Sequence, residues 1–87
     1  MMEPYRVEYS QDAQDILEKM ERKVAKRIID KLDDAAQNPD HFFERLQGQE
    51  NCKLRVGDYR VIGLVFHVER AIFVRSMDHR KRVYKRH

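Results

Sequence analysis

The chain has 87 residues, of which 41% are hydrophobic and 38% are charged, and its formal net charge is +3. A chain of this length forms one domain with a modest core, so residues 1–87 are treated as a single domain and a second domain is excluded. No apolar run approaches the roughly 20 residues that cross a bilayer, and the first residues lack the apolar segment of a secretory signal, so we expect a cytoplasmic protein without a membrane partner.

The charges are distributed unevenly along the sequence. Residues 1–43 contain 7 Lys and Arg against 10 Asp and Glu, whereas residues 44–87 contain 11 against 5. Concentrated positive charge attracts phosphate backbones or acidic proteins, although it is also common on ordinary soluble surfaces.

The single cysteine, Cys52, cannot form an internal disulfide and is interpreted as a packing residue. No second thiol or closely spaced His pair offers a zinc site, so we expect neither a metal nor a cofactor.

The first half of the sequence predicts one strand followed by two helices. Residues 5–9 alternate apolar and charged side chains with a period of two, as expected for a half-buried strand. Ser10 is a suitable N-cap for a first amphipathic helix, and a second apolar stripe begins at Val24 and ends before Pro39. No Gly or Pro separates the stripes, which allows one long helix or a hairpin. Because an unbroken helix of about 27 residues exceeds the usual globular range, we favour a hairpin that bends near residues 20–23.

The second half predicts an ordered connection over residues 37–50 and then three strands, at 52–56, 59–66 and 71–77. The sequence "HVER" forms the turn between the last two strands. The order is therefore β-α-α-β-β-β, with helices and strands segregated along the chain. Such an order is typical of an α+β domain in which a helical hairpin packs on one face of an antiparallel sheet.

The turn between the first two of these strands predicts their register. Gly57 and Asp58 suit a two-residue hairpin turn, which pairs Arg55 with Arg60 and places Lys53 opposite Ile62. Because side chains alternate along a strand, one side of the pair becomes what we call the cationic face, and the other the uncharged face, against which the helices should pack. The cationic face comprises Lys53, Arg55, Arg60, Ile62, Leu64 and Phe66; the uncharged face comprises Leu54, Val56, Tyr59, Val61 and Val65.

An even number of loop residues in the "HVER" turn would extend both faces onto the third strand. Ile72 and Val74 would then join the uncharged face. Directly opposed like charges such as Arg55 and Arg60 cost about 0.2 to 1 kcal/mol, so some interaction should offset them. Either each arginine pairs with a carboxylate such as Asp58 or Glu50, or the cations together form a polyanion site. The residues expected to join the cationic face are Ala71, Phe73, Arg75, Met77 and His79.

The end of the chain, "RSMDHRKRVYKRH", is strongly basic, with five Lys or Arg in residues 78–87 and an aromatic residue, Tyr84, among them. Aromatic stacking beside cations is one way in which proteins hold single-stranded RNA. The sequence resembles the RelE/ParE toxin superfamily, and specifically its RelE side. The resemblance rests on "NP" at the end of the second helix, "RLQG", "KLRVGDYRVI" and "SMDHRKRVY".

This resemblance implies a compact domain with a twisted antiparallel sheet that acts as the toxin of a type II toxin-antitoxin pair. It implies a cognate RelB-like antitoxin and a toxin-antitoxin heterotetramer that binds operator DNA through the antitoxin. RelE toxins enter the ribosomal A site and cut mRNA as metal-independent endoribonucleases, which implies the ribosome and mRNA as partners. The residues that match the family's phosphate-binding and catalytic cations and its base-stacking aromatic are Lys53, Arg60, Arg80 and Tyr84.

Further RNA contacts are expected from the other basic and titratable residues of the same region. His79 could also be a surface histidine beside Asp78, and Asn51 stands where some RelE proteins have a second lysine. Two other functions remain open: a non-enzymatic inhibitor of DNA gyrase, as in the ParE branch, and a non-catalytic RNA-binding module. The combination of basic residues with Tyr84 favours the nuclease. The expected additional RNA-binding residues are Arg55, Arg75, His79, Arg82 and Lys85.

Overall fold

The computed structural model describes residues 3–46, 48 and 50–79. Within this part of the chain the five strands form one sheet in the order β1-β5-β4-β3-β2, and the helices cover one of its faces. The elements are β1 (Arg6–Tyr9), α1 (Gln11–Lys19), α2 (Arg22–Gln37), α3 (Pro39–Phe42), β2 (Glu44–Arg45), β3 (Cys52–Val56), β4 (Tyr59–Phe66) and β5 (Ala71–His79).

The two main helices form the predicted hairpin. Helix α1 starts after Ser10, whose Oγ accepts a hydrogen bond from the backbone N–H of Ala13 at 3.1 Å, as an N-cap does. The chain leaves the helix at Met20 and re-enters one at Arg22, so the bend lies within the expected interval. Helix α2 ends at Gln37, before the predicted Pro39 boundary. None of these described helices is long and apolar enough to cross a membrane.

The predicted hairpins are confirmed. Strands β3 and β4 pair Val56 with Tyr59 and Arg55 with Arg60. Gly57 occupies the first central position of the turn with a φ of 58°. Within the described ranges Arg70 is the residue other than glycine with a positive φ, so Asp58 at the second central position has none. Strands β4 and β5 pair around a four-residue turn, which supplies the even number of loop residues that was assumed.

The α+β class is confirmed, but the sheet is mixed rather than wholly antiparallel. Strand β1 runs parallel to β5, from the Arg6–Ala71 pair to the Tyr9–Val74 pair. The alternation of residues 5–9 identifies a strand but contains no information about its neighbour or direction, since both depend on the path of the intervening helices. A second addition is the two-residue strand β2, which pairs with β3 at its start.

The core lies between the helices and the uncharged face, as predicted. Ile28 and Leu32 of α2 are buried against strand residues of that face, including Val61, and such side chains each contribute about 1.5 to 3 kcal/mol by leaving water. The uncharged face is therefore the covered side of the sheet, and the cationic face is the side that the described helices leave open. The other buried strand residues of this core are Leu54, Val56, Ile72, Val74 and Met77.

A β-bulge in β5 changes which side chains reach each face. Gly63 pairs with Val74, but its neighbour Ile62 pairs with Ser76, so Arg75 is an extra residue. Beyond the bulge the alternation is reversed. Met77 is buried opposite Val61, and His79 lies opposite Tyr59, so the expectation that Met77 and His79 join the cationic face is wrong.

Two local features hold this bulge in place. A Cβ atom on Gly63 would lie 2.5 Å from the carbonyl oxygen of Phe73, so the close approach of the two strands requires glycine. The carbonyl oxygen of Arg75, freed from the regular ladder, accepts a hydrogen bond of 2.6 Å from Ser10 Oγ. The N-cap residue of α1 therefore also anchors the bulge, which couples the position of the helix to the register of β5.

Candidate functional site

Cross-strand pairing arranges the charged side chains of the cationic face in rows. The predicted register is confirmed, so Lys53, Arg55 and Arg60 share this face. The pairing also brings in two acidic residues that the sequence analysis did not include, Glu44 beside Lys53 and Asp78 beside Arg60. One row runs Arg55, Arg60, Asp78, and the next runs Glu44, Lys53, Ile62, Ser76.

Both acidic residues form ion pairs with the cations beside them. Lys53 Nζ lies 3.4 Å from Glu44 Oε1, and Arg60 Nη2 lies 3.7 Å from Asp78 Oδ2. The acidic side chains are largely in water, with 74% of Glu44 and 52% of Asp78 exposed. Ion pairs of this kind contribute only about 0 to 1 kcal/mol because water and salt screen them. The two cations are thus partnered but remain available to a stronger anion.

Asp78 explains how the sheet tolerates opposed arginines. Arg60 lies between Arg55 on one side and Asp78 on the other, so the attraction to the carboxylate offsets the repulsion within the Arg55–Arg60 pair. The Nε atom of Arg60 is buried and has no hydrogen-bond partner among the described residues. The guanidinium therefore retains a donor that this part of the chain leaves unsatisfied.

The remaining two cations of the face differ in their surroundings. Arg55 is exposed and makes no ion pair within residues 3–46, 48 and 50–79. Arg75 donates a hydrogen bond of 3.1 Å from Nη1 to Oδ1 of Asn51, the residue that stands where some RelE proteins have a lysine. The four cations, against Glu44 and Asp78, leave a charge of +2 on this part of the face.

The structure does not bring His79 to the cations. Its ring makes an edge-to-face contact with Tyr59, with centroids 4.8 Å apart, and it borders a pocket formed with Val24 and Ile28 of α2. This side of the sheet faces the helices, so His79 lies away from Lys53 and Arg60. The other four residues expected at the site, Arg80, Arg82, Tyr84 and Lys85, are outside the described residues.

One of the two missed acidic residues had a signal in the sequence. Val74 and Met77 are both apolar but three positions apart, which breaks the period of two and indicates an extra residue between them. Recognising that bulge would have placed Asp78 opposite Arg60. Glu44 had no comparable signal, because a strand of two residues is too short to show a periodicity.

A second charged surface lies between α2 and the edge of β3. It is a groove of about 510 Å³ in which five cations face two carboxylates, and Lys26 Nζ forms an ion pair of 2.8 Å with Asp30. Strand β2 pairs with β3 only at Cys52 and Lys53, so the described chain leaves the rest of this strand edge uncovered. The groove is lined by Lys23, Lys26, Arg27, Asp30, Lys31, Asp34, Arg55, Val56 and Gly57.

Cys52 does not have the environment of a reactive thiol. Partial burial raises its pKa above the ordinary value, an effect that Arg45 opposes and Asp40 reinforces. The thiolate, which is the nucleophilic form, is therefore disfavoured. Among the described residues, no cluster of three or more His, Cys, Asp or Glu side chains is arranged to hold a metal ion.

The fold is that of RelE toxins of known structure. The RelBE2 toxin-antitoxin complex of Mycobacterium tuberculosis matches with a TM-score of 0.82 and 20% identity, over 92% of this chain and 95% of that chain. The RelE-RelB complex of Pyrococcus horikoshii matches with a TM-score of 0.77 and 24% identity, over 92% and 99%. The isolated RelE toxin of E. coli matches with 0.74 and 22%, over 93% and 92%. At these identities the matches establish a shared fold.

Sequence comparison assigns the family. A search among curated proteins gives no match. The model of the family described as "ParE toxin of type II toxin-antitoxin system, parDE" matches residues 7–84, which is nearly the whole chain. The resemblance to the RelE/ParE superfamily is thus confirmed. The chain belongs to the ParE toxin family of type II toxin-antitoxin systems, within the RelE/ParE toxin superfamily.

Proposed function

We propose that this toxin is a ribosome-dependent endoribonuclease that cuts mRNA in the ribosomal A site. The observation that carries the proposal is that strand register places Lys53, Arg55 and Arg60 on the sheet face opposite the helices, with Arg75 beside them. Arg55 lies at the edge of this face, where it also lines the groove along α2. A surface with this charge and an open approach suits the phosphate backbone of a single RNA strand. The RelE fold supports the same activity by analogy.

The proposed reaction is an internal transfer within the RNA. The 2′-oxygen attacks the adjacent phosphorus in line, its proton leaves, and a new P–O2′ bond forms. The P–O5′ bond breaks, and the departing 5′-oxygen gains a proton. The products are a 2′,3′-cyclic phosphate and a free 5′-hydroxyl, so no further reactant is consumed. Negative charge accumulates on the phosphorane oxygens, and the protein must stabilise it.

The cations supply that stabilisation in this proposal. Lys53 and Arg60 would exchange their carboxylate partners for oxygens of the scissile phosphate. Arg55, which makes no ion pair with any described residue, would attract the approaching strand. Losing one preorganised donor of this kind lowers the rate of an enzyme about 10² to 10³-fold. Arg80 and Tyr84, outside the described residues, are proposed as a further phosphate-binding cation and the base-stacking aromatic.

A second candidate function is a ParE-like toxin that inhibits DNA gyrase through protein contacts. The match to the ParE family model favours this alternative. A gyrase inhibitor, however, has no evident need for three cations converging on one sheet face. The two candidates predict different targets, so one set of assays separates them.

The test is to add the purified toxin to translating ribosomes and to map the 5′ ends of the mRNA. We expect cuts at A-site codons, reduced about 10² to 10³-fold by Arg60→Ala. The matched control is Arg6→Ala, which removes an exposed arginine on the opposite edge of the sheet, where Arg6 pairs with Glu8. Intact mRNA together with inhibited gyrase supercoiling would replace this proposal by the second candidate. Cleavage by Arg60→Ala at the wild-type rate would exclude Arg60 from the site.

We further propose a RelB-like antitoxin as the partner, in a heterotetramer that binds operator DNA through the antitoxin. The groove between α2 and β3 suits an acidic segment of such a chain, since its five cations exceed its two carboxylates. Lys23→Glu, a charge reversal in this groove, should weaken antitoxin binding measured by calorimetry. Lys19→Glu, the same reversal at the end of α1, should not. Equal effects of both variants would exclude the groove as the docking surface.

A further inference from the structure

The structure raises the question of why a cationic surface has two of its own carboxylates placed against its cations. Asp78 lies directly across from Arg60, and Glu44 lies directly across from Lys53. Each carboxylate is within 4 Å of the cation and yet more than half exposed. They therefore stand where phosphate oxygens would have to come, but they are not locked in place by burial.

We propose that Asp78 is a built-in competitor for Arg60: its carboxylate occupies the guanidinium in the free protein, and an RNA phosphate must displace it. This inference rests on the proposed function, because it names how access to the same cationic face is regulated. Its consequence is a raised threshold for binding. An RNA strand that offers a single phosphate gains little binding free energy, whereas a strand bound through several phosphates at once can displace Asp78.

The energies of the two competing interactions make such an exchange feasible. The Arg60–Asp78 pair is separated by 3.7 Å and is partly solvated, so it is a weak ion pair. A phosphate presents several oxygens to a planar guanidinium and can form two parallel hydrogen bonds, which are stronger and shorter. The Nε donor of Arg60, which has no hydrogen-bond partner among the described residues, provides one more site for such a bond if the side chain shifts. Asp78 can turn into water, because half of its side chain is already exposed.

Arg55 gives the exchange a starting point. It lies next to Arg60 in the same cross-strand row, is exposed, and makes no ion pair within the described part of the chain. A phosphate can contact Arg55 first without breaking an ion pair among the described residues. The same row then presents Arg60, where the phosphate and Asp78 repel each other and compete for one cation.

The test compares the binding of a 2′-deoxy oligonucleotide, which resists this cleavage chemistry, by fluorescence anisotropy over a range of salt concentrations. Asp78→Asn keeps the shape of the side chain and removes its charge. We expect it to bind about tenfold more tightly at low salt, which corresponds to about 1.4 kcal/mol. The dependence of log K on log salt should also steepen by up to about 0.7, the value of one additional phosphate contact on a single strand.

Two controls separate local competition from a general change in charge. Glu69→Gln removes one negative charge in the exposed β4–β5 turn, so its net charge equals that of Asp78→Asn. It should leave the affinity within about twofold of wild type, since exposed charges far from the site are screened. In an Arg60→Gln background, Asp78→Asn should give no gain, because the cation that it frees is absent.

Several results would overturn the proposal: no gain from Asp78→Asn, an equal gain from Glu69→Gln, a gain that persists without Arg60, or no binding by any variant. Thermal unfolding checks the fold of each variant, and Asp78→Ser provides a second neutral replacement if the Asn variant is unstable. The ribosome assay keeps the two proposals distinguishable. An Arg60-dependent gain in affinity without mRNA cleavage would refute the nuclease and retain the competitor, whereas cleavage without a gain would do the reverse.

Discussion

The substitution Gly63→Ala tests whether the bulge in β5 organises both the core and the cationic face. Gly63 lies at a close approach of strands β4 and β5, and an added Cβ would lie 2.5 Å from the carbonyl oxygen of Phe73. That atom belongs to the backbone of a paired strand, so it cannot move aside as a flexible side chain would. The strands must separate, or the bulge must be lost.

The expected cost is large for so small a change. Overpacking a well-packed interior costs about 1 to 3 kcal/mol, and an obstacle made of backbone places this substitution near the upper value. For a domain of this size each 1 kcal/mol lowers the melting temperature by about 4 to 8 °C, so a decrease of roughly 12 to 24 °C is expected. The loss would be a substantial part of the few to about 13 kcal/mol that such a domain possesses.

Chemical denaturation and thermal melting of wild type and variant measure this cost. Gly57→Ala is the matched control, because the nearest atom to its added Cβ is Arg27 Nη1 at 3.7 Å and only its positive φ of 58° is unfavourable. The control should lose about 1 to 2 kcal/mol. A Gly63→Ala variant as stable as wild type, or more stable than Gly57→Ala, would refute the argument. NMR contacts between the side chains of Met77 and Val61 would report whether the bulge persists.

Three further predictions concern other parts of the fold. Ser10→Ala should lower stability by about 1 to 2 kcal/mol, because it removes both the N-cap of α1 and the bond to the bulge carbonyl, and Ser10→Asn should recover part of it in the same melts. Leu32→Ala should cost about 2 to 5 kcal/mol by leaving a cavity, whereas Lys19→Ala on the exposed end of α1 should stay within about 0.5 kcal/mol of wild type. Burial raises the pKa of Tyr9 and Cys52, and the negative charge of Asp33 also contributes at Tyr9, so the unfolded chain loses these protons first. The stability that is present below the ordinary pKa values of 10.0 and 9.0 should therefore fall as the pH rises through the folded pKa values. A double Tyr9→Phe, Cys52→Ser variant should show a flatter decline of stability with pH.

Local sequence signals were sufficient to predict the helices, the strands and the register of β3 with β4. Helical spacing, the N-cap at Ser10 and the boundary at Pro39 are local signals, and the structure agrees with each of them. The turn at Gly57 has few permitted geometries, so it set the pairing of β3 with β4 and placed Lys53 and Arg60 on one face. Lys53 and Arg60 could be assigned to the same face because this short turn determines which residues of β3 and β4 pair.

The direction of β1 and the partner of Lys53 depend on tertiary contacts, and so does the stability of the bulge that the spacing of Val74 and Met77 indicates. The partners of β1 and β2 are distant in sequence, and an alternating pattern is the same for parallel and antiparallel pairing. The bulge depends on Gly63 in one strand and on Ser10 at the start of a helix, neither of which is close in sequence to Arg75. A single extra residue then turned His79 toward the helices and Asp78 toward Arg60, because side-chain alternation propagates any shift to the end of the strand.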